Sequence, residues 1–436
     1  MHNARRLCKI TIKITNKSIK MAELSQIMIN FVTLQIKPEE MKRLTLTLFA
    51  LLTLIVGGVQ SISAEDVEMK YVNALDLRII NKGFNDTASP YTRLPVWLQD
   101  SVRPTLWERS QCSSGMAVRF ATDSKKVAVR YNLLWNTHMV HMADTGLKGV
   151  DLYRLSDSGE WEYVNTCRPY KSDSIQTKVF VENLKGDMRE FMIYLPLYDG
   201  VNWLEVGVEQ TATITKPNID NPTTGKQVIF YGTSILQGGC STRTGMCGTN
   251  IIQRDLGLEC VNIGISGEGK MDFCMARAMA GIKDAVAFVI DPVPNCTEMM
   301  CDTLTYDFIN ILRTLRPEVP IIMVEGPMYP YAKFDSFFGN YLPKKNAAFH
   351  KNYLRLKAEN PDNLFYVDCD NLYGGQEGTV DGVHATDIGF VAYAKKLEPV
   401  IMQALLLAGD VKAKLVAEAE KQTPKKQTPK KKKSKK

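Results

Sequence analysis

The feature that most constrains this chain is an apolar run that stops at a glycine and two hydroxyl side chains, Val228-Ile229-Phe230-Tyr231-Gly232-Thr233-Ser234. Short runs of β-branched and aromatic residues bounded by glycine are typical of strands buried on both faces. Glycine permits a sharp turn after the strand, and such a turn presents a side chain together with backbone N–H groups. The run therefore predicts a buried strand ending in a tight turn that exposes Ser234. Alone it is weak evidence for a nucleophile, because turn and capping residues have the same pattern.

A second pattern, Asp381-Gly382-Val383-His384, lies far downstream, just before a helical pattern. The chain has only five histidines, so few side chains could act as a general base. An Asp three residues before a His can place its carboxylate behind the imidazole, fixing the tautomer and stabilising the imidazolium. These residues predict a triad of Ser234, His384 and Asp381. The alternative is a turn residue at Asp381 and a surface His384 before a helix cap.

Four blocks in this order resemble the SGNH/GDSL hydrolase superfamily. They are Gly232-Thr233-Ser234, Asn262-Ile263-Gly264-Ile265-Ser266-Gly267, Asp291-Pro292-Val293-Pro294-Asn295 and the loop from Asp381 to His384. The resemblance implies that Ser234, Asp381 and His384 are catalytic. It also implies an oxyanion hole made by the backbone N–H groups of Ser234 and Gly267 and the side-chain amide of Asn295.

The chain departs from the family pattern at two places. Thr233 stands where many members have Asp, and the third block lacks Gly-x-Asn-Asp. These departures leave the subgroup and the substrate more open than the chemistry. Upstream, the stretch 149–153 (Gly-Val-Asp-Leu-Tyr) resembles the GxDLY signature of an N-terminal domain paired with one bacterial SGNH subgroup.

Two domains are expected from the hydrophobic patterning. Residues 65–225 alternate apolar and polar residues in short runs separated by turn signals, which predicts an N-terminal β-sandwich or jelly roll of the GxDLY type. Residues 226–410 alternate strand-like runs with helical patterns, which predicts a parallel sheet covered on both faces. The resemblance makes this second domain an SGNH-type (flavodoxin-like) hydrolase domain. In such sheets the site lies beyond the carboxyl ends of the strands.

The two ends of the chain are predicted to lie outside the folded body. We interpret residues 1–40 as a non-translated or disordered leader, with translation starting at Met41. Residues 41–64 have the basic start, apolar middle and small-residue exit of a signal peptide, which favours a secreted or periplasmic protein, with a retained anchor as the alternative. Residues 411–436 form a Lys-rich tail with no apolar residue after position 420, expected to be disordered and able to contact anionic surfaces weakly.

The net charge of +7 is concentrated at these ends, so the body between them is mildly acidic. Its charge therefore offers no argument for nucleic-acid binding. The ten cysteines show no paired Cys-x-x-Cys spacing and are interpreted mainly as small core residues. His138 and His141 could in principle share a metal, but a structural or loop role is favoured, and the loop is a candidate substrate contact. Neither a metal nor an organic cofactor is expected.

The sequence thus predicts a secreted serine esterase that hydrolyses small O-acyl esters. The family resemblance points to acetyl esters of carbohydrates. One alternative is a lipid or thioester hydrolase that uses the same triad. A second, from a different class, is a glycan-binding protein whose hydrolase domain is inactive.

Overall fold

The computed structural model of the protein describes residues 68–170, 173–217 and 225–407. All of them belong to one compact unit that begins at Glu68. The predicted leader, signal peptide and Lys-rich tail, at 1–40, 41–64 and 411–436, lie outside the described residues. Among the described helices, none is both long enough and apolar enough to cross a membrane.

The N-terminal part is a sandwich of two antiparallel sheets. One sheet has the strand order β1-β9-β4-β7, and the other has the order β10-β3-β8-β5-β6, with β2 paired to β3. The strands are β1 (Met69–Asn73), β2 (Arg78–Ile80), β3 (Ala117–Thr122), β4 (Val127–Leu133), β5 (Val150–Leu155), β6 (Trp161–Cys167), β7 (Ile175–Val181), β8 (Arg189–Tyr194), β9 (Val201–Glu209) and β10 (Ile214–Thr215). Two short helices, α1 (Pro104–Ser110) and α2 (Asp144–Leu147), lie between strands.

The core of the sandwich comes from the inward-facing residues of both sheets. Val127, Val129 and Tyr131 of β4 are fully buried and belong to one cluster with Phe120 of β3 and Phe191 of β8. The alternation in β4 places every second side chain on the same face, as the strand period of two requires. Burying these residues drives the two sheets together.

The C-terminal part is a five-stranded parallel sheet with the strand order β12-β11-β13-β14-β15. Its strands are β11 (Gln227–Gly232), β12 (Glu259–Gly264), β13 (Ala285–Asp291), β14 (Ile321–Val324) and β15 (Leu364–Val367). Its helices are α3 (Ser234–Gln237), α4 (Gly248–Leu256), α5 (Phe273–Ala280), α6 (Glu298–Thr303), α7 (Thr305–Leu315), α8 (Ser336–Glu359) and α9 (Asp387–Leu407). Numbered from its first strand, the order 2-1-3-4-5 is the flavodoxin-like one.

Strand β11 is buried along its whole length because helices cover both faces of the sheet. Ile229 and Tyr231 face a cluster that includes residues of α5, α7 and α8. Val228 and Phe230 face a second cluster that includes residues of α4 and α9. The continuous apolar run that opened the sequence analysis is therefore explained by burial on two sides.

The segment between β2 and β3 leaves the sandwich and joins the core of the parallel sheet. Leu94, Leu98 and Leu106 are fully buried in the cluster that contains Ile229. The buried Arg93 guanidinium donates hydrogen bonds of 2.8 Å to the Cys112 carbonyl and 2.5 Å to the Gly264 carbonyl. Apolar burial and hydrogen bonds thus join the two parts of the molecule.

The predicted architecture, a parallel flavodoxin-like sheet preceded by an antiparallel β-domain, is confirmed by these sheets. The nine described cysteines are all free, and seven of them are buried. Cys296 and Cys301 are close in sequence, as are Cys240 and Cys247, but neither pair forms a disulfide.

Candidate active site

Ser234 lies at the turn where β11 ends and α3 begins. Thr233 is the N-cap of α3, and its side-chain oxygen accepts a hydrogen bond of 3.3 Å from the Ile235 N–H. A hydroxyl in this position satisfies one of the N–H groups that a helix start leaves unpaired. Gly238 ends the short helix in the left-handed region, with φ of 109°. Capping thus gives Thr233 a structural role at the position where many family members have Asp.

A line of hydrogen bonds joins Ser234, His384 and Asp381. The Ser234 Oγ lies 3.0 Å from His384 Nε2. His384 Nδ1 lies 2.7 Å from Asp381 Oδ2. Because the carboxylate accepts the Nδ1–H, the lone pair of Nε2 faces the Ser234 hydroxyl. The arrangement is able to remove a proton from the serine oxygen.

Asp381 is held by its own loop. Its Oδ1 accepts hydrogen bonds from the backbone N–H groups of Val383, at 2.9 Å, and His384, at 2.7 Å. Partial burial opposes ionisation of this carboxyl, but the hydrogen bonds from His384 and Val383 prevail and hold its pKa below the usual value. Asp381 is therefore ionised at neutral pH. Gly382 has a φ of 84°, and a Cβ there would lie 2.8 Å from the Tyr331 ring, so the tight loop requires glycine.

Gly267 lies in the loop after β12, the strand next to β11. This loop packs on the turn that carries Ser234, since the Ile265 N–H donates a hydrogen bond of 3.1 Å to the Gly232 carbonyl. The Ser266 N–H donates a hydrogen bond of 2.9 Å to the side-chain oxygen of Gln237 in α3. These bonds fix the loop beside Ser234 and leave Gly267 at its left-handed bend, with φ of 72°.

Asn295 follows β13, the neighbour of β11 on the other side. Its Oδ1 accepts a hydrogen bond of 3.2 Å from the Gly269 N–H. The amide is thereby oriented, because its oxygen is engaged and its NH₂ group is the end that can donate elsewhere. Gly267 and Asn295 thus follow the two strands that neighbour β11, at the carboxyl edge of the sheet.

The sandwich also reaches the site. The His141 ring lies 5.7 Å, centroid to centroid, from the His384 ring. Tyr198 donates a hydrogen bond of 2.7 Å to the backbone carbonyl of Ser234. His138 is instead paired with Asp144, at 2.8 Å. Of the two histidines considered from the sequence, His141 is therefore the one beside His384.

Both parts of the chain match profiles of known protein families. The profile of the GDSL-like lipase/acylhydrolase family matches residues 225–402, and that of the N-terminus of Esterase_SGNH_hydro-type matches residues 69–214. A solved GDSL-like lipase from Bacteroides ovatus ATCC 8483 is 31% identical, with a TM-score of 0.73 over 78% of this chain and 98% of that one. The chain belongs to the GDSL-like lipase/acylhydrolase family.

This GDSL-like hydrolase is accordingly a carboxylic-ester hydrolase. A second solved structure, the salicylyl-acyltransferase SsfX3 from a tetracycline biosynthetic pathway, is 16% identical, with a TM-score of 0.61 over 78% of this chain and 99% of that one. That likeness concerns the fold. Among curated proteins, none matches the chain.

The GxDLY-type stretch of this GDSL-like hydrolase is an anchor between the sandwich and the catalytic sheet. Asp151 is fully buried and accepts hydrogen bonds of 2.8 Å from Arg243 Nη1 and 2.8 Å from the Gly245 N–H. Arg243 also donates a hydrogen bond of 2.6 Å to the Tyr153 hydroxyl. Burial raises the pKa of Asp151, and the neighbouring Arg243 opposes that rise. Arg243 and Gly245 belong to the segment that follows α3.

Sequence reasoning missed three residues around the candidate site of this GDSL-like hydrolase. Tyr198 and Arg109 come from the N-terminal half. Arg109 Nη1 donates a hydrogen bond of 2.6 Å to the carbonyl of Ser266, the residue before Gly267. Cys240 is 6% exposed, and burial together with the charge of Asp381 raises the pKa of its thiol to about 12. No signal in the sequence distinguished them, because each stands in an ordinary strand, helix or turn pattern.

Proposed function

We propose that this protein is a secreted serine esterase that removes small acyl groups, above all acetyl, from carbohydrates. The observation that carries the catalytic part is the pair of hydrogen bonds from Ser234 Oγ to His384 Nε2, 3.0 Å, and from His384 Nδ1 to Asp381, 2.7 Å. In a serine activated by a general base, the hydroxyl donates to one imidazole nitrogen and the other nitrogen donates to a carboxylate. The two hydrogen bonds here have that arrangement.

In the proposed mechanism Ser234 Oγ attacks the ester carbonyl carbon while His384 Nε2 takes its proton. Asp381 keeps the imidazole oriented and stabilises its positive charge. His384 then returns the proton to the departing alcohol, which leaves an acyl-enzyme. A water molecule that gives its proton to His384 attacks the acyl carbon, and Ser234 leaves with the proton held by His384.

The oxyanion that develops in both steps is proposed to be bound by three donors. They are the N–H groups of Ser234 and Gly267 and the amide NH₂ of Asn295. Such donors act on charge that is present only in the transition state, so they raise kcat more than they tighten substrate binding. The hydrogen bond from the Gly269 N–H to Asn295 Oδ1 supports this role because it turns the NH₂ end away from that partner.

A carbohydrate substrate is supported by exposed aromatic side chains next to the triad loop. Tyr331 touches the Gly382 position and packs edge-on against Phe338, with centroids 5.2 Å apart. Phe334 is 91% exposed and Phe337 is 63% exposed on the same segment. Aromatic faces held open to water beside a reaction centre are suited to stacking on apolar faces of sugar rings.

The acyl group is tested with aryl esters of acetate, of a medium-chain acid and of a long-chain acid. We expect kcat/KM to be highest for the acetate and to fall at least about tenfold for the long chain. A preference for long chains, or for an acetyl thioester, would support a lipid or thioester hydrolase instead. No turnover of any ester would support a glycan-binding protein without activity.

The sugar is tested by replacing both exposed rings, Phe334→Ser with Phe337→Ser. We expect kcat/KM for acetylated oligosaccharides to fall on the order of tenfold, which is about 1.4 kcal/mol. Hydrolysis of the small aryl acetate should change much less, because that substrate has no sugar ring to stack on the exposed aromatic faces. Tyr170→Ser, on a ring that is 70% exposed in the sandwich, is the matched control. Equal losses on both substrates would remove this segment from glycan recognition.

We also propose export through a signal peptide at residues 41–64. The basic Lys42-Arg43 start and the apolar run that follows support it. Sequencing the mature N-terminus tests the proposal, with cleavage near Ala64 expected. A mature chain that still carries residues 41–64 would contradict it.

A further inference from the structure

Three metal-ligating side chains converge beside the nucleophile. They are His141, Cys240 and His384, and one ligand atom of each lies within 4.8 Å of those of the other two. His141 comes from the sandwich, Cys240 from the segment after α3 and His384 from the loop before α9. The three residues are far apart in the sequence, so only the tertiary structure brings them together.

His384 is already oriented as metal-bound histidines are. Such histidines donate one ring N–H to a carboxylate and coordinate the metal through the other nitrogen. Here Nδ1 lies 2.7 Å from Asp381 Oδ2, so Nε2 carries the lone pair, which faces the Ser234 hydroxyl at 3.0 Å. The negative charge of Asp381 also adds to the attraction for a cation at this place.

Cys240 supplies the soft ligand and lies at the buried end of the cluster, with 6% of its surface exposed. His141 is exposed, so a cation could reach the site from the solvent through that side. Two imidazoles and one thiolate make a ligand set typical of Zn²⁺, which binds nitrogen at about 2.0–2.1 Å and sulfur at about 2.3 Å in tetrahedral geometry. In that geometry the ligand atoms lie roughly 3.3–3.8 Å apart. The three ligand atoms lie within 4.8 Å of one another, so an approach of at most roughly 1–1.5 Å would close the site.

We propose that Zn²⁺ binds His384 Nε2, Cys240 Sγ and one ring nitrogen of His141, and that it inhibits the enzyme reversibly. The Cys240 thiol gives its proton to solvent as the sulfur–zinc bond forms, and both imidazoles bind as neutral rings. The fourth position takes a water molecule. The ion occupies the lone pair that would otherwise accept the Ser234 proton. Inhibition rests on the proposed catalytic role of His384, whereas zinc binding does not.

Binding is measured by titrating the metal-free protein with ZnCl₂ in a calorimeter. We expect one site that involves these ligands, with the dissociation constant raised at least about tenfold in Cys240→Ser and in His141→Gln. The controls are Cys274→Ser, a partly exposed cysteine elsewhere, and His138→Gln, the histidine paired with Asp144. Co²⁺ as a probe should give a thiolate charge-transfer band in the wild type and in both controls but not in Cys240→Ser.

Inhibition is measured on aryl acetate, with each variant compared with its own zinc-free rate. We expect Zn²⁺ to stop wild-type turnover, a chelator to restore it, and Cys240→Ser to need at least about tenfold more zinc. If Cys240→Ser is poorly folded by circular dichroism, His141→Gln on the exposed loop provides the same comparison. Zinc affinity that is unchanged in both variants would overturn the proposal. If the protein binds zinc tightly through Cys240 but has no esterase activity, that result would support the metal site and refute the proposed function.

Discussion

At the scale of single residues, one hydrogen bond of 3.0 Å joins the Ser234 hydroxyl to the His384 imidazole. We predict that Ser234→Ala and His384→Ala each lower kcat on aryl acetate by on the order of 10⁴-fold, because neither residue activates the ester without the other. For the same reason the double variant should be little worse than either single one. Steady-state kinetics on purified variants measures this. A single variant that retains near wild-type kcat would refute the mechanism.

Asp291 is a buried carboxyl at the end of β13, and it lies outside the triad. It is 1% exposed and accepts a hydrogen bond of 3.0 Å from the Tyr393 hydroxyl. Burial raises its pKa to about 8, and the Tyr393 bond offsets only part of the rise. Between about pH 4 and pH 8 the unfolded chain has lost this proton while the folded chain keeps it. The free energy of unfolding therefore falls as pH rises through that window.

We predict that Asp291→Asn removes this pH dependence because an amide does not ionise. The variant should gain stability relative to wild type as pH increases from 5 to 7.5, by about 1–3 kcal/mol. Urea unfolding at the two pH values measures the difference. Control experiments with Asp302→Asn, an exposed carboxyl, should show a much smaller change. A wild-type advantage that grows with pH would mean that Asp291 is ionised in the folded protein.

At the scale of elements, β5 connects the sandwich to the segment that follows α3. Asp151 supplies the connection through Arg243 and the Gly245 N–H. We predict that Asp151→Ala lowers the free energy of unfolding by roughly 2–4 kcal/mol, because it leaves a largely buried guanidinium and a buried N–H without their acceptor. Denaturant unfolding measures the loss.

The matched control is Glu162→Ala on the neighbouring strand β6. Glu162 pairs with Arg154 at 2.7 Å, but both side chains are well exposed, at 54% and 38%. Exposed pairs contribute little, so we expect a change below about 1 kcal/mol. Similar losses of unfolding free energy in the two variants would show that the hydrogen bonds of Asp151 contribute no more than an exposed ion pair.

At the scale of the whole molecule, the two parts share a core. Leu94, Leu98 and Leu106 are buried in the cluster of the parallel sheet although they precede the sandwich strands β3 to β10. Each buried leucine contributes about 1.5–3 kcal/mol, so removing three costs roughly 5–9 kcal/mol. That loss is comparable to the whole stability of an ordinary domain, about 5–15 kcal/mol.

We therefore predict that residues 226–410 do not fold when expressed alone, whereas residues 65–410 do. Circular dichroism during heating measures this, with a cooperative transition expected only for the longer chain. The aryl acetate activity of the longer chain serves as its functional control. A cooperative transition in the 226–410 fragment would show that the shared leucines are dispensable to the sheet.

Local patterns in the sequence were enough to predict the elements that position the site. The run 228–232 is apolar on both faces, and a strand with that pattern must be covered on both sides, so β11 and the turn at Ser234 could be predicted from neighbouring residues alone. The alternating apolar and polar runs within residues 65–225 likewise predicted sandwich strands, although β1, β2, β5 and β10 were not found from alternation. The proposed site residues came from short motifs and from a family resemblance carried by those motifs.

Contacts between distant segments were decided only by the tertiary structure. Three contacts join parts of the chain that no local pattern relates: the approach of His141 to His384, the placement of Cys240 close to both, and the bond from Tyr198 to the Ser234 carbonyl. The burial of Leu94 in the other part's core belongs to the same class. Periodicity reports which face of a strand or helix is buried, but it carries no information about which partner covers that face, because apolar burial is not directional.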